Sequence, residues 1–547
     1  MKVKHIIKNG LFLLLVATSA GCKDFLVEDL KSQLAPTNTF TSTYGFEVGS
    51  AGLYALTRSE YNTFGEGGAF LHNNATPYEA LQAATDIVDV VNSDASLTAF
   101  ANLTMTPSER FVLSYWNWSY SLISSANEIL MYAEINDNWD SPTDKVRFQA
   151  EARFFRAYAY RTLLYLYGDV PYVETILYDF QLNFSRTPRA EVLQHVVDDL
   201  KFAAENLPDN PDQLQEGKLT KWAAFHLLSE MYLAQQQYTL AEQAALEVIN
   251  SGYYELMKTR FGRNQENPGD VFSDLFVEHN QNRKGGNKES IWVLQFEFNT
   301  IGGGTNSDDW TRRAWNPKYF DISGFVLADT LGGRGLAQII PMKWWIGTSR
   351  TNATGNAPGI FDAADIRNSN HNIKRDWYYN NASNAALYGK RATITEQTWF
   401  STKSLFPALT KFFYGRAENL GLTGSYKDRM KFRLAETYLL LAEAYIGQGN
   451  STKAAEAINQ VRSRAGATPA SVSQVNMDYL LDERIRELVG EESRRFTLVR
   501  TKKFLERVKT YNTAVGSKVQ EFHALWPIPQ AIIDANRDAE FPQNTGY

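Results

Sequence analysis

Along most of the 547 residues, apolar side chains recur every three to four positions, and the exceptions to that rhythm fall together. The helical period starts near Phe46 in "FEVGSAGLYALTR" and lapses into a loop-rich stretch over 62–108. It returns in "SERFVLSYWNWSYSLISSANEILMYAE", from Ser108 to about Glu134. It is strongest over 141–173, "SPTDKVRFQAEARFFRAYAYRTLLYLYGDVPYV". There Ser141 can cap, Pro142 suits the first helical position, and Asp144 completes a capping-box spacing. Gly168 and Pro171 stop the run. Further helices are predicted at about 188–206, 220–236 and 239–250, and again at about 429–447, 451–465, 476–490 and 493–509. From about 253 to 428 the rhythm is lost. Gly and Asn accumulate ("RKGGNK", "IGGGTNSDDW", "LGGRG", "TNATGNAPG"), and short β-like runs such as "SIWVLQFEF" appear. This predicts an irregular region with a few strands.

An internal repeat organises the helices. "LLSEMYLAQQQYTLAEQAALEV", from Leu227, lies over "LLAEAYIGQGNSTKAAEAINQV", from Leu440, at a constant offset. The shared positions include Glu230/Glu443, Tyr232/Tyr445, Ala241/Ala454, Ala244/Ala457 and Val248/Val461. Each copy reads as helix, tight polar turn, and second helix with alanines where helices must approach. That is the tetratricopeptide design, in which one pair cannot bury its own apolar face and several must stack. The helices near 110–133 and 143–167 are expected to supply further pairs.

The first residues follow different rules. Lys2, Lys4 and Lys8 precede the apolar run "LFLLLVA", and Ser19, Ala20 and Gly21 lead to Cys22, the only cysteine in the chain. The run is too short to span a bilayer and has the outline of a secretory signal. Its Gly–Cys ending resembles the lipobox of bacterial lipoproteins, which makes Cys22 the expected lipid attachment site. Acyl chains would then hold the protein on a membrane that it does not cross. Residues 23–45 read as a tether lying along the body.

Bulk composition narrows the partners. A net charge of −6 implies no basic face and argues against nucleic acid. The 12 Trp, 28 Tyr and 32 Phe are more than an ordinary core requires, so some aromatic faces are expected to meet a ligand.

Several stretches resemble the SusD/RagB family of Bacteroidetes outer-membrane lipoproteins: "GCKDFL" at the anchor, "EARFFRAYAYRTLLYLYGDVPYV" from Glu151, "DIR" at 365–367, "RLAETYLLLAEAYI", "AINQVRSRAG", "ERIRELVGEESRRFTLVR", "LWPIPQAIIDAN" and "FPQNTGY". They occur in family order from Cys22 to Tyr547. Ser493, Thr497, Arg537 and Thr545 depart from the family's usual residues, all within scaffold motifs. The resemblance implies a mostly α fold: a tetratricopeptide-like helical-pair scaffold (SusD-like) with a large irregular, loop-rich insertion containing short strands. The expected divisions are 1–21 signal peptide, 22–45 lipidated tether, 46–252 N-terminal helical half, 253–428 irregular ligand-binding region, and 429–547 C-terminal repeat and closing segment. The resemblance further implies nutrient capture at the cell surface, with an oligosaccharide ligand and a SusC-like TonB-dependent transporter as partner. Peptide capture, as in one branch of the family, is the alternative ligand.

Holding a sugar at a wet surface takes aromatic faces for its C–H side and Asn, Asp, Gln or Arg for its hydroxyls. The segment 302–320, "GGGTNSDDWTRRAWNPKYF", places Trp310, Trp315 and Tyr319 among Asn306, Asp308, Asp309 and Arg312. In the family, loops between early helices also contribute, which nominates Asn73 and Tyr78 within 61–80, "YNTFGEGGAFLHNNATPYEA". Trp344–Trp345, "DWYYN" at 376–380 and "YWNWSY" read as core. The alternating Arg and Glu of 483–495 read as a solvated, salt-bridged helix face.

No HExxH, G-x-S-x-G, Walker or EF-hand spacing is present, so no catalytic residue, metal or cofactor is expected. Asp308–Asp309 are adjacent and do not make the converging carboxylate pair of a glycosidase. A glycan-active enzyme and a protein-binding tetratricopeptide scaffold remain the competing readings.

Overall fold

The computed structural model describes residues 36–61, 77–90, 95–177, 179, 181–298, 300, 309–350, 358–416, 420, 421 and 424–547. Besides the helix Ala95–Asn102 and several of four to six residues, its helices are α1 (Thr43–Arg58), α2 (Arg110–Ile135), α3 (Asp144–Tyr167), α4 (Arg189–Asn206), α5 (Lys221–Ala234), α6 (Tyr238–Ile249), α7 (Leu434–Gly447), α8 (Ser451–Arg464), α9 (Met477–Leu488), α10 (Arg494–Arg500) and α11 (Phe504–Tyr511). Eight short strands accompany them among the described residues: β1 (Val88–Val90), β2 (Ser290–Leu294), β3 (Ile339–Pro341), β4 (Ile373–Lys374), β5 (Trp377–Tyr378), β6 (Arg391–Ala392), β7 (Ala408–Leu409) and β8 (Arg429–Arg433). They pair two by two and antiparallel, β1 with β3, β2 with β8, β4 with β7 and β5 with β6.

The helices α2 to α8 form one continuous stack, each packed on the next. The break in sequence between α6 and α7 is therefore not a break in the scaffold. The alanines of the repeat make this possible: Ala241, Ala244, Ala454 and Ala457 are all buried where helices meet. Gly447 closes α7 against Tyr238 at the start of α6, and a Cβ there would sit 2.3 Å from the ring. The matching glutamates of the two copies share one counter-ion. Arg500 on α10 donates to Glu443 at 2.8 and 2.9 Å and to Glu230 at 3.3 Å.

Two paired strands connect the irregular region to the scaffold. Strand β2 carries the chain out and β8 brings it back, with Ser290 opposite Arg433 and Leu294 opposite Arg429. Trp292 on β2 is buried against Phe154, Phe155 and Tyr158 of α3 and Phe432 of β8. Residues 429–433, expected as the first turn of a helix, are thus a strand. Their burial pattern alternates, and Met430 and Phe432 face the core.

Two other expectations change. The helix predicted at 493–509 is two helices, α10 and α11, broken at Lys502 with φ of +57°. Helix α3 starts at Asp144, not at Pro142, and half of the capping box is present: the Asp144 carboxylate accepts from the Ser141 N–H at 2.9 Å.

The Arg/Glu face of 483–495 is not solvated. Glu483, Arg484, Glu487, Arg494 and Arg495 are each no more than 1% exposed. Arg367, from the insertion, donates to Asp365 (2.8 and 2.9 Å), Glu483 (2.8 Å) and Glu487 (2.9 Å). Arg433 and Arg464 both reach Glu289 (2.7 and 2.9 Å) and Glu487. The charges are paired across segments distant in sequence, which one helix's periodicity does not reveal. They fasten the insertion to α8 and α9. Burial alone would raise the Glu483 carboxyl, but Arg367, Arg486 and Arg462 hold it down at about 2.

Among the described residues no helix is long and apolar enough to cross a membrane.

Candidate functional site

The segments 61–80 and 302–320, some 240 positions apart in sequence, meet in the fold. The Trp310 N–H donates to the Tyr61 carbonyl at 3.4 Å. Residue 61 is the last described before 62–76, and Asp309 the first described after 301–308. The described borders of the two stretches nominated for ligand contact therefore lie side by side.

Arg429, at the end of β8, organises their common base. Its guanidinium lies 4.0 Å from the Tyr61 ring centroid and 4.9 Å from that of Tyr78. The two rings pack at 4.7 Å. Arg429 also donates to Asp309 (3.3 Å), to the Thr311 hydroxyl (2.8 Å) and to the Gly490 carbonyl (3.0 Å). Burial works against its charge, yet Tyr61 and Asp309 keep its pKa above the ordinary arginine value. Asp309 has a φ of +29°, a strained conformation that persists only where its surroundings fix it. Here Arg429 holds its carboxylate, which also accepts from the Thr311 N–H at 2.9 Å, while its carbonyl accepts from Ser425 N–H at 2.9 Å.

Beneath lies a second polar layer. Lys431, two residues along β8, donates to Glu60 (3.0 Å) and Tyr61 (2.6 Å). The Tyr115 and Tyr158 hydroxyls donate to Glu60 as well, each at 3.2 Å. The Tyr78 hydroxyl sits 3.0–3.2 Å from the carbonyls of Gly490, Glu491 and Glu492. Burial raises the phenol pKa of both Tyr61 and Tyr78 well above the ordinary value, so they stay neutral donors. A cavity of about 40 Å³ beside Asp309, Lys427 and Arg429 has room for water, not for a sugar. Burial lowers Lys427 there to about 8.

The nominated residues divide accordingly. Cys22, Asn73, Asn306 and Asp308 lie outside the described residues. Trp310 is 7% exposed, with Arg313 over its ring at 4.3 Å. Trp315, Tyr319, Arg312 and Tyr78 are buried. Trp315 stacks on Phe412 at 5.3 Å and Tyr319 on Trp377 at 5.7 Å. Arg312 donates to the Tyr414 carbonyl at 3.3 Å, and burial beside Arg313 lowers it to about 10. A stacking platform must offer a face to water, and these four do not. They belong to the buried core on the described side of Asp309.

Other aromatics behave as read from sequence, with one exception. Tyr115, Trp116, Trp118 and Trp345 are buried, and Trp344 stacks on Tyr511 at 4.0 Å. In "DWYYN", Trp377 is buried but Tyr378, pointing the other way on β5, is 50% exposed. Sequence reasoning passed over Arg429, Tyr61 and Lys431. The alternation in "RMKFR" was the available signal, since it puts Arg429 and Lys431 on one face of a strand.

No group of three His, Cys, Asp or Glu side chains capable of holding a metal occurs among the described residues. A cavity of about 350 Å³ between α2 and the C-terminal stretch, lined by Trp116, Tyr120, Phe184, Ile532 and Phe541, shares no lining residue with this base. Its lining is apolar and ill-suited to a polyol.

Comparison with known proteins covers nearly the whole chain. The profile of the family described as "SusD family" matches residues 288–547, and that described as "Starch-binding associating with outer membrane" matches 66–233. "SusD-like protein P25" of Formosa agariphila is 24% identical over 98% of this chain and 97% of its own. "Starch-binding protein SusD" of Bacteroides thetaiotaomicron is 27% identical over 79% and 78%. Among solved structures, a "Laminarin binding SusD-like protein" superposes with a TM-score of 0.66 at 22% identity, covering 92% of this chain and 99% of that one. "Surface glycan-binding protein A from Bacteroides thetaiotaomicron in complex with laminarihexaose" gives 0.70 at 18% identity, covering 92% and 100%.

Proposed function

The chain belongs to the SusD family, and from that premise we propose that it is a cell-surface lipoprotein that binds oligosaccharide and passes it to a SusC-like TonB-dependent transporter. The observation that carries this reading is the convergence at Arg429. Tyr61 and Asp309, the described residues that border the Gly- and Asn-rich stretches 62–76 and 301–308, meet at one base with Arg429 and the buried Tyr78. Asn73, Asn306 and Asp308 in those stretches have the side chains a polyol needs. Names of relatives support the ligand class: one is a starch-binding protein, another binds laminarin. The base is a binding foundation, not catalytic machinery. Asp309 and Glu60, its two acids, are engaged by Arg429, Lys431 and tyrosine hydroxyls.

Calorimetric titration of the mature protein with laminarihexaose, maltohexaose and a mixed tryptic peptide pool tests the proposal. Saturable binding of an oligosaccharide, lost in Asn73→Ala/Asn306→Ala/Asp308→Ala, is expected, with no new reducing ends on prolonged incubation. Binding of peptides alone would replace the sugar reading with peptide capture. Release of reducing ends would establish an enzyme. Purification from native outer membranes is expected to retain a β-barrel transporter, and recovery of the lipoprotein alone would refute the partner.

A further inference from the structure

The hairpin made by β5 and β6 in the insertion has two unlike faces, because neighbouring side chains on a strand point to opposite sides. On the inner face Trp377 and its cross-strand partner Ala392 are buried, with Trp377 stacked on Tyr319 at 5.7 Å. On the outer face Tyr378 lies opposite Arg391, and Asp376, two residues before Tyr378, forms an ion pair with Arg391. Tyr388 belongs to the connection between the strands. The Gly389 N–H donates to the Tyr379 carbonyl at 2.9 Å, which sets Tyr388 beside the strand of Tyr378. Val326 joins them through Asn380. Three of the nine large apolar side chains exposed among the described residues, Val326 (44%), Tyr378 (50%) and Tyr388 (57%), therefore gather at one hairpin. Here are the open aromatic faces that Trp315 and Tyr319 do not offer.

The rings stand on a fixed frame. Asn380 pairs twice with the Val326 backbone, accepting from its N–H at 2.9 Å and donating to its carbonyl at 3.0 Å. The Asn381 N–H donates to the Gly324 carbonyl at 3.0 Å, and the Asn384 carbonyl accepts from the N–H groups of Leu387 and Tyr388 at 3.0 and 2.9 Å. Gly324 has a φ of +102°, and a Cβ there would lie 2.7 Å from Tyr379 and 2.9 Å from Leu387. Tyr379 also packs on Phe325 at 4.8 Å. Tyr379 and Leu387 are thus held inward while their neighbours Tyr378 and Tyr388 meet water. A ring fixed in this way loses little freedom when a ligand stacks on it.

Size and chemistry select the occupant. At half exposure the two tyrosines offer on the order of 100 Å² each, whereas each partner in a stable protein interface contributes about 800 Å². The patch suits a small ligand. Beside Tyr378 the Arg391 guanidinium supplies donors and the Asp376 carboxylate acceptors, and Asp376 is itself steadied by Asn370 at 2.6 Å. A sugar hydroxyl both donates and accepts, and the C–H side of the same ring covers an aromatic face. We propose that the outer face of the β5–β6 hairpin is a second carbohydrate contact, with Tyr378 and Tyr388 as stacking faces and the Asp376–Arg391 pair engaging hydroxyls. The proposal rests on the oligosaccharide reading above. It shares no residue with the base at Arg429, and it adds to that site without replacing it.

The test follows the two rings directly. Mature protein made with fluorotyrosine is titrated with laminarihexaose and read by fluorine NMR, with Tyr378→Phe and Tyr388→Phe assigning the two resonances. Both resonances are expected to shift saturably along one binding curve. Laminarin is long enough to engage more than one contact, so in calorimetry Tyr378→Ala/Tyr388→Ala is expected to bind it at least about fivefold more weakly, with the melting temperature of the parent. Resonances that stay in place while calorimetry registers hexaose binding would overturn the platform and leave the oligosaccharide reading intact. A parent protein that binds no oligosaccharide would overturn both. Shifts produced by a mixed tryptic peptide pool and not by the sugar would also refute the proposal.

Discussion

Arg429→Met tests the base of the site. The substitution keeps an unbranched apolar stem and removes the guanidinium with its three hydrogen bonds, to Asp309, Thr311 and Gly490. Hydrogen bonds involving a charged group contribute about 1.5–3 kcal/mol each. Stacking on a desolvated ring adds up to about 2 kcal/mol. These terms share one side chain and do not add. The better guide is the cost of stranding the partner: Asp309 is 8% exposed, and breaking a buried pair from one side costs about 3–5 kcal/mol. Urea unfolding followed by tryptophan fluorescence reads that loss. Asp309→Asn removes the stranded charge, so the double variant is expected to recover about 0.5–3 kcal/mol against the sum of the singles. Calorimetry on the same variants reads the second consequence, oligosaccharide binding weakened about tenfold, or about 1.4 kcal/mol, as Tyr61 and Asp309, which border 62–76 and 301–308, lose their common partner. Coupling under about 0.5 kcal/mol together with unchanged binding would refute the reasoning, for then Arg429 would support neither stretch.

Trp315→Ala is expected to lower stability by about 3–5 kcal/mol, because a fully buried ring stacked on Phe412 leaves a cavity. Tyr378→Ala, half-exposed, should stay within about 0.5 kcal/mol, and thermal melts of the two distinguish floor from surface. Acid should loosen the insertion first. Glu483 titrates at about 2 when folded and near 4.5 when unfolded, so its stabilising contribution is complete above 4.5 and is lost as pH falls toward 2. Glu483→Gln should flatten that limb of the melting-temperature profile. Asp428 has the opposite sign. Burial raises it to about 6 despite the Phe296 N–H and Asn282 beside it, so its contribution is favourable below about 3.8 and fades as pH rises through 6. Asp428→Asn should therefore remove a decline in stability between about pH 4 and 6, and an unchanged profile would sink that assignment.

The scaffold was legible because it rests on local periodicity. Leu227/Leu440 and their companions mark two copies of one helical pair, and the copies do stack, with Glu230 and Glu443 meeting at Arg500. What periodicity could not carry is pairing at a distance. In "ERIRELVGEESRR" the alternating charges have the pattern of a wet surface, and only the positions of Arg367, Arg433 and Glu289 turn them into a buried network. The strand at 429–433 was hidden for a similar reason. Five residues preceding a strong helix share its apolar content, and the partner that makes them a strand, β2, lies over 130 positions earlier.

The site shows the same division more sharply. Composition nominates two stretches, and described residues at their borders, Tyr61 and Trp310, meet in the fold. It assigned the roles within them the wrong way round for the residues that can be described. A sugar needs flat apolar faces, which nominates the aromatic side chains as platforms, yet an irregular segment with little regular hydrogen bonding also needs a core of its own. Trp315, Tyr319 and Trp377 are that core, packed on Phe412, Phe325 and Phe413. In a helix the ligand face and the core face separate by angle, and the sequence displays the angle. In a segment without a period nothing in the order of residues distinguishes them, so the same Trp can be read either way. The flanking strand supplied the missing information: "RMKFR" alternates, its Arg429 and Lys431 must share a face, and two cations on one buried face require partners. Those partners, Asp309, Glu60 and Tyr61, stand at the edges of the two nominated stretches, so the cations of β8, more than the tryptophans, mark where the described borders of those stretches meet.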